Sequence, residues 1–142
     1  STQIRSFLEK GNLKKANKAL NRNWSIEGIV RKGRQQGKKI GFPTCNIDIE
    51  DYVIAMPGVY AVKVNHYNFN KSLKAIANLG YRPTFNQKKI LLEVHIFNFS
   101  GNLYNKYLSV EFIKFIRKER RFNNVDQLKS QIKIDLNIAK KS

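Results

Sequence analysis

The residues best equipped for chemistry lie between Gly28 and Asn46, where the chain reads G-I-V-R-K-G-R-Q-Q-G-K-K-I-G-F-P-T-C-N. Gly28, Gly33, Gly37 and Gly41 are interspersed with the cations Arg34, Lys38 and Lys39. Glycine lets backbone N–H groups come close to a ligand, and cations beside such a loop suit a polyphosphate. After the rigid Pro43, the hydroxyl of Thr44 and the amide of Asn46 can serve Mg²⁺ as hard oxygen ligands or as outer contacts. The run is not a Walker A loop, because Gly33 and Gly37 are too close together and Lys39 stands where Ser or Thr belongs. On pattern alone two readings stay open: a nucleotide–metal site, or a basic Gly-rich turn without chemistry.

A second candidate is Glu93. In the run Lys89 to Phe99, the two-residue period puts Ile90, Leu92, Val94 and Ile96 on one face and Leu91, Glu93, His95 and Phe97 on the other. Glu93 is then either a solvated strand residue or a carboxylate placed to accept a proton. His95 shares its face and is either a partner of Glu93 or a structural histidine. No His/Cys/Asp/Glu cluster has zinc spacing, and no nucleophile–His–acid set is visible.

The elements that must hold these residues are mostly strands. Trp24 to Arg31, Cys45 to Ile49, Val59 to Val64, Ser72 to Leu79, Lys89 to Phe99 and Tyr107 to Arg117 all read as strands. Turn chemistry fills Asn65 to Asn70 and Ser100-Gly101-Asn102. No helical pattern separates the strands, which argues against parallel βαβ units. The expectation is a mainly β fold: a six-stranded antiparallel barrel, closed or nearly so. Helices are expected at both ends. Gln3 to Lys10 forms one, stopped by Gly11, and Asn12 caps a second carrying Leu13, Ala16 and Leu20 on one stripe. At the other end, Asn124 and Gln127 resemble a capping box, before an apolar stripe of Val125, Leu128, Ile132, Leu136 and Ala139.

Composition narrows the function classes. The 142 residues suit one modest core. No apolar run is long enough to span a bilayer. The single cysteine, Cys45, excludes an internal disulfide and suits a reducing cytoplasm; its alternation with Thr44 and Asn46 points it inward. The net charge of +17 would ordinarily suggest nucleic acid. Here the charge is dispersed and no nucleic-acid motif accompanies it, so a basic nucleic-acid-binding β-barrel is the alternative reading.

The whole Gly28–Asn46 string resembles the signature of the riboflavin kinase family. Four more segments follow in order: Pro57-Gly58-Val59-Tyr60, Asn78-Leu79-Gly80-Tyr81-Arg82-Pro83-Thr84-Phe85, Glu93-Val94-His95-Ile96, and Ile116-Arg117-Lys118-Glu119-Arg120-Arg121-Phe122. Ser1-Thr2-Gln3-Ile4-Arg5, with Gly11 and Ala16, resembles the end of the nucleotidyltransferase module of bacterial bifunctional FAD synthetases. The resemblance implies a fold and a reaction. The fold is a Greek-key-like barrel with a C-terminal helix packed on it and a short N-terminal helical segment. Residues 1–22 would be the remnant of the adenylyltransferase module and linker, and 23–142 the kinase domain. The substrates would be ATP and riboflavin, the products FMN and ADP, the metal Mg²⁺ carried with ATP, and the compartment the cytoplasm. The remaining partner would be the N-terminal adenylyltransferase module of the same parent chain, with no nucleic acid and no membrane.

The resemblance also assigns residues. Glu93 stands where the family has its catalytic base. Thr44 and Asn46 would hold the metal and the ATP phosphates, while Gly33 and Lys38 belong to the loop over the nucleotide. Lys38 replaces the usual Arg, losing bidentate geometry. Arg117, Glu119 and Phe122 map onto the flavin-side loop; Phe122 as an aromatic staple before the last helix is the other reading. One departure is Asn102-Leu103-Tyr104-Asn105, where the family has D-L-Y-G. Asn105 is then expected to accept a left-handed backbone in place of glycine.

Overall fold

The computed structural model describes residues 1–31, 43–49, 55–83, 85 and 88–142. Two short helices, α1 (Thr2–Glu9) and α2 (Leu13–Leu20), precede six strands: β1 (Ser25–Arg31), β2 (Cys45–Asp48), β3 (Gly58–Asn65), β4 (Leu73–Pro83), β5 (Lys88–Ile96) and β6 (Tyr107–Lys118). Helix α3 (Val125–Lys141) closes the chain. The strands form a closed barrel in the order β1-β2-β5-β4-β3-β6, and every neighbouring pair is antiparallel. β3, β4 and β5 form a meander and β2 lies beside β5, which is the Greek-key arrangement. β4 runs on to Pro83, further than its residues suggest, because β5 pairs with it as far as Lys88.

Alternation fills the interior. Val30, Ile47, Tyr60, Val62, Val64, Ala75, Ala77, Leu79, Leu92, Val94, Leu108, Val110 and Phe112 make the core. On the outer face a second cluster of Ala61, Phe97 and Ala139, with Ile76, Ile116 and Leu136 against it, seats α3. The α3 stripe departs from its sequence reading at one end: Val125 is 52% exposed, and the buried positions include Asp135. The cap is reciprocal, but shifted: Gln127 N donates to Asn124 Oδ1, while Gln127 Oε1 accepts from Asn123 N rather than from Asn124.

The N-terminal helices are joined to the barrel. Gly11 (φ +75) ends α1 with Asn12 N donating to Phe7 O and Gly11 N to Leu8 O, the paired bonds of a Schellman turn. The tight turn folds α2 back, and Leu8, Leu13 and Ala16 enter the same core as the strands. Asn17 completes the joint. Its Nδ2 donates to Phe112 O at 2.9 Å, and its Oδ1 accepts from Trp24 N at 2.8 Å.

β6 carries two irregularities that matter for function. Phe112 pairs with Val62 inside the barrel, Lys114 with Ala61 outside, Phe115 with Tyr60 inside and Arg117 with Val59 outside. Ile113 and Ile116 are the extra residues. Each bulge reverses the in–out phase, so the pair of them returns Arg117 to the outer surface. Among the described residues no helix is long and apolar enough to cross a membrane.

Candidate active site

Register alone gathers most of the site. Arg31 pairs with Asn46, Asn46 with Glu93, Glu93 with Asn78, Asn78 with Val59, and Val59 with Arg117. Val30, Ile47, Leu92 and Leu79 point into the core, so their neighbours in this row face outward. The row runs across the barrel's outer surface and spans all six strands.

Along this row a cavity of ≈ 600 Å³ opens between the barrel and α3. Thr44, Glu93, Arg117, Glu119 and Phe122 all line it. Its apolar wall includes Val59, Ile76, Leu128 and Ile132. That combination, a flat apolar wall with a few convergent polar groups, is what an organic ligand site requires. A second cavity of ≈ 630 Å³ lies around the start of β2, lined by Arg31, Asn46, Phe99, Asn102 and Tyr104 among others. Thr44 and His95 line both, so they form the partition. Asn46 lines only the second of these two cavities and Arg117, Glu119 and Phe122 only the first, with Thr44 at the boundary. Gly33 and Lys38 lie outside the described residues.

Local contacts set each group. His95 Nδ1 lies 2.6 Å from Pro43 O. A carbonyl can only accept, so Nδ1 carries the proton and donates. This bond holds the backbone immediately before Thr44, which makes His95 a positioning group. Cys45 packs against the barrel core between Thr44 and Asn46, and burial pushes its thiol pKa up from 9.0. It is held protonated and poorly nucleophilic. Gly80 clears space for Glu119: a Cβ there would sit 2.5 Å from Glu119 Oε1. Arg117 and Arg120 place their guanidinium carbons 5.7 and 5.2 Å from the Phe122 ring centre. Phe122 is thus flanked by two cations and lines the cavity.

Asn105 behaves as expected for a glycine substitute. Its φ is +66, its N–H donates to Val30 O, and its Oδ1 accepts from Arg31. Sequence reasoning missed Asn78 as a site residue, although its pairing with Glu93 puts it in the cavity wall. It also passed over Asp135, a carboxylate on an otherwise apolar stripe, which is itself a signal of a specific partner.

The family profile described as "Flavokinase: Riboflavin kinase" matches residues 20–142. Curated relatives include a bifunctional riboflavin kinase/FMN adenylyltransferase of Buchnera aphidicola subsp. Schizaphis graminum, 42% identical over 99% of this chain and 46% of that protein. Proteins of the same description from Haemophilus influenzae and Bacillus subtilis are 43% and 38% identical, over 99% and 95% of this chain and 45% and 43% of theirs. The chain thus spans about half the length of the curated relatives it matches. A crystal structure described as a macrolide-efflux protein from Streptococcus pneumoniae superposes with a TM-score of 0.92 at 34% identity, over 100% of this chain and 46% of that one. The efflux description belongs to that protein; the profile matches this chain directly and decides the family. A riboflavin kinase from Trypanosoma brucei shares the fold, with a TM-score of 0.58 at 19% identity over 82% of this chain and 77% of that one. The nucleic-acid alternative receives no support from these comparisons.

Proposed function

We propose one reaction for this chain, which belongs to the riboflavin kinase family: transfer of the ATP γ-phosphate to the ribityl 5′-hydroxyl of riboflavin, giving FMN and ADP. The observation that carries the reading is the partition. A large cavity with an apolar wall lies against a second cavity on the signature segment, and Thr44 lines both while Glu93 faces the first. A flavin ring suits the apolar side and a polyphosphate the other, with the reacting hydroxyl between them.

Glu93 accepts the hydroxyl proton as the oxygen attacks phosphorus, a role that typically contributes about 10²–10⁴-fold. Thr44 and Asn46 offer neutral oxygens to Mg²⁺, and the Thr44 hydroxyl and the Asn46 amide N–H donate to the phosphates. Among the described residues no group of three His, Cys, Asp or Glu could hold a metal. Mg²⁺ is commonly held by one or two protein groups while substrate phosphates and water complete its shell. When bound, Mg²⁺ neutralises charge on the transferring phosphoryl group. Gly33 and Lys38 complete the phosphate side, and Arg117, Glu119 and Phe122 the flavin side.

The lengths of the relatives support a parent chain whose N-terminal module carries FMN adenylyltransferase activity. In that reading residues 1–22 belong by descent to the adenylyltransferase module and 23–142 form the kinase domain. The enzyme works in the cytoplasm, where an unpaired cysteine such as Cys45 is at home. The test is an ADP-release assay with ATP, Mg²⁺ and riboflavin, with FMN identified by chromatography. Glu93→Ala is expected to lower turnover by about 10²–10⁴-fold while ATP still binds. Near-normal turnover in this variant would remove Glu93 from the role.

A further inference from the structure

The segment 117–122 is not held by the barrel alone. Asp135, 2% exposed on α3, grips the Arg117 guanidinium side-on: Nε lies 3.1 and 3.0 Å from the two carboxylate oxygens and Nη2 2.9 Å from Oδ2. The remaining nitrogen, Nη1, donates to Lys118 O at 3.0 Å. One turn earlier on α3, Gln131 Nε2 donates to Asp135 Oδ1 at 3.0 Å. The same Gln131 accepts from Arg120 Nη1 through its Oε1, at 2.6 Å. The two arginines so held are those that flank Phe122. A continuous polar chain therefore runs Arg117–Asp135–Gln131–Arg120, and both its ends rest on one aromatic ring in the cavity wall.

This arrangement is costly unless it has a use. Burying a carboxylate on α3 against the barrel forfeits hydration, and a well-packed apolar pair often does as well for stability. What the chain supplies is posture. Planar guanidinium groups fixed by bidentate and charge-assisted bonds lose most of their rotamer freedom. Arg120 would otherwise be a free exposed side chain beside Arg121, with like charges pushing it away.

We propose that Asp135 and Gln131 are positioning residues for the flavin side of the cavity, holding Arg117 and Arg120 so that Phe122 is presented at the height of the substrate ring. This rests on the riboflavin kinase reading above. Asp135 and Gln131 act through the arginines. They set the affinity for riboflavin and leave the phosphate side, built on Thr44 and Asn46, untouched.

The test compares steady-state constants of Asp135→Asn and Gln131→Met with those of the unmodified protein, alongside riboflavin binding followed by flavin fluorescence. Asp135→Asn keeps the shape and removes the charge; the expected result is a riboflavin KM and Kd raised about tenfold, the scale of one weakened charge-assisted contact. kcat and the KM for ATP should stay within about twofold, because the transition-state contacts remain. Gln131→Met leaves the Arg117–Asp135 pair in place and is expected to raise the riboflavin KM about threefold in the same selective way; it decides the matter if Asp135→Asn does not fold. Adding Arg117→Gln to Asp135→Asn should cost little more than either change alone, since both act on one contact. An unchanged riboflavin KM in both single variants, or losses shared equally by kcat and the ATP KM, would overturn the proposal while leaving the kinase reading intact. If the unmodified protein neither binds riboflavin nor makes FMN, the kinase reading itself falls, and this inference with it.

Discussion

Asn17→Ala tests whether the N-terminal helical hairpin is structurally part of the barrel. The substitution removes the 2.9 Å bond to Phe112 O and the 2.8 Å bond from Trp24 N, along with a longer one to Asn23 at 3.3 Å. Each of the two short bonds is worth roughly 1–1.5 kcal/mol net, more where the partner left behind is buried, as at Phe112. Against this, alanine in mid-helix gains about 0.6 kcal/mol in propensity over asparagine. The balance is a loss of about 2 kcal/mol, which for a chain of this size lowers Tm by roughly 8 °C. The assay is urea unfolding at 25 °C with tryptophan fluorescence, since Trp24 packs at a tilt against Phe112 with ring centres 4.8 Å apart. Lys14→Ala, exposed on the same helix, serves as the control and should change stability by less than about 0.5 kcal/mol. If Asn17→Ala matched that control, the hairpin would be an appendage and its bonds to the barrel energetically idle. A chain beginning at Asn23 should fare worse than Asn17→Ala, because it also loses Leu8, Leu13 and Ala16 from the core.

Other expectations follow from single contacts. Gly80→Ala would drive a methyl to 2.5 Å from Glu119 Oε1; the exposed carboxylate should swing away, raising the riboflavin KM while Tm falls by little, as read by kinetics and calorimetry. Asn105→Ala keeps a β-carbon at φ +66 but loses asparagine's tolerance of that region and removes the acceptor for Arg31, so it should destabilise by about 1 kcal/mol, whereas Asn105→Gly should be close to neutral. Cys45, its pKa raised by burial, should react with iodoacetamide at pH 8 much more slowly in the folded protein than in urea, and equal rates would contradict its packing. Tyr60 is also raised, by burial first and then by Tyr81. A phenol whose folded pKa exceeds its unfolded value contributes stability that is present below the unfolded pKa and lost as pH rises through the folded one. Unfolding free energy should therefore begin to fall above the ordinary tyrosine pKa of 10.0, and Tyr60→Phe should flatten that fall.

The sequence carried the barrel because period-two burial is a strong signal: Leu92, Val94 and Ile96 are inside and Glu93 is outside, as alternation requires. Helix caps were legible at Asn12 and Asn124 for the same local reason. Less legible were features fixed by pairing partners. Nothing in Phe112-Ile113-Lys114-Phe115-Ile116-Arg117 announces two bulges, yet they decide that Lys114 faces out and Phe115 in, the reverse of plain alternation from Phe112, before Arg117 regains its phase. The α3 stripe was read from hydrophobicity, which favoured Val125 and ignored Asp135. Solvent holds the first, and Arg117, a residue from another element, buries the second. Asn78 escaped notice as a site residue because its place in the cavity wall arises only from standing opposite Glu93 on the neighbouring strand.

The row from Arg31 to Arg117 also says where this domain can change during evolution. Its members come from six different strands and meet only because each strand keeps count with the next. Replacing a side chain in that row alters one group, whereas gaining or losing one residue within β2, β4 or β5 rotates every later residue of that strand to the wrong side. Tolerance to length variation should therefore be confined to the connections, such as 66–72 and 97–106, while the strands accept exchange of residues but not of number.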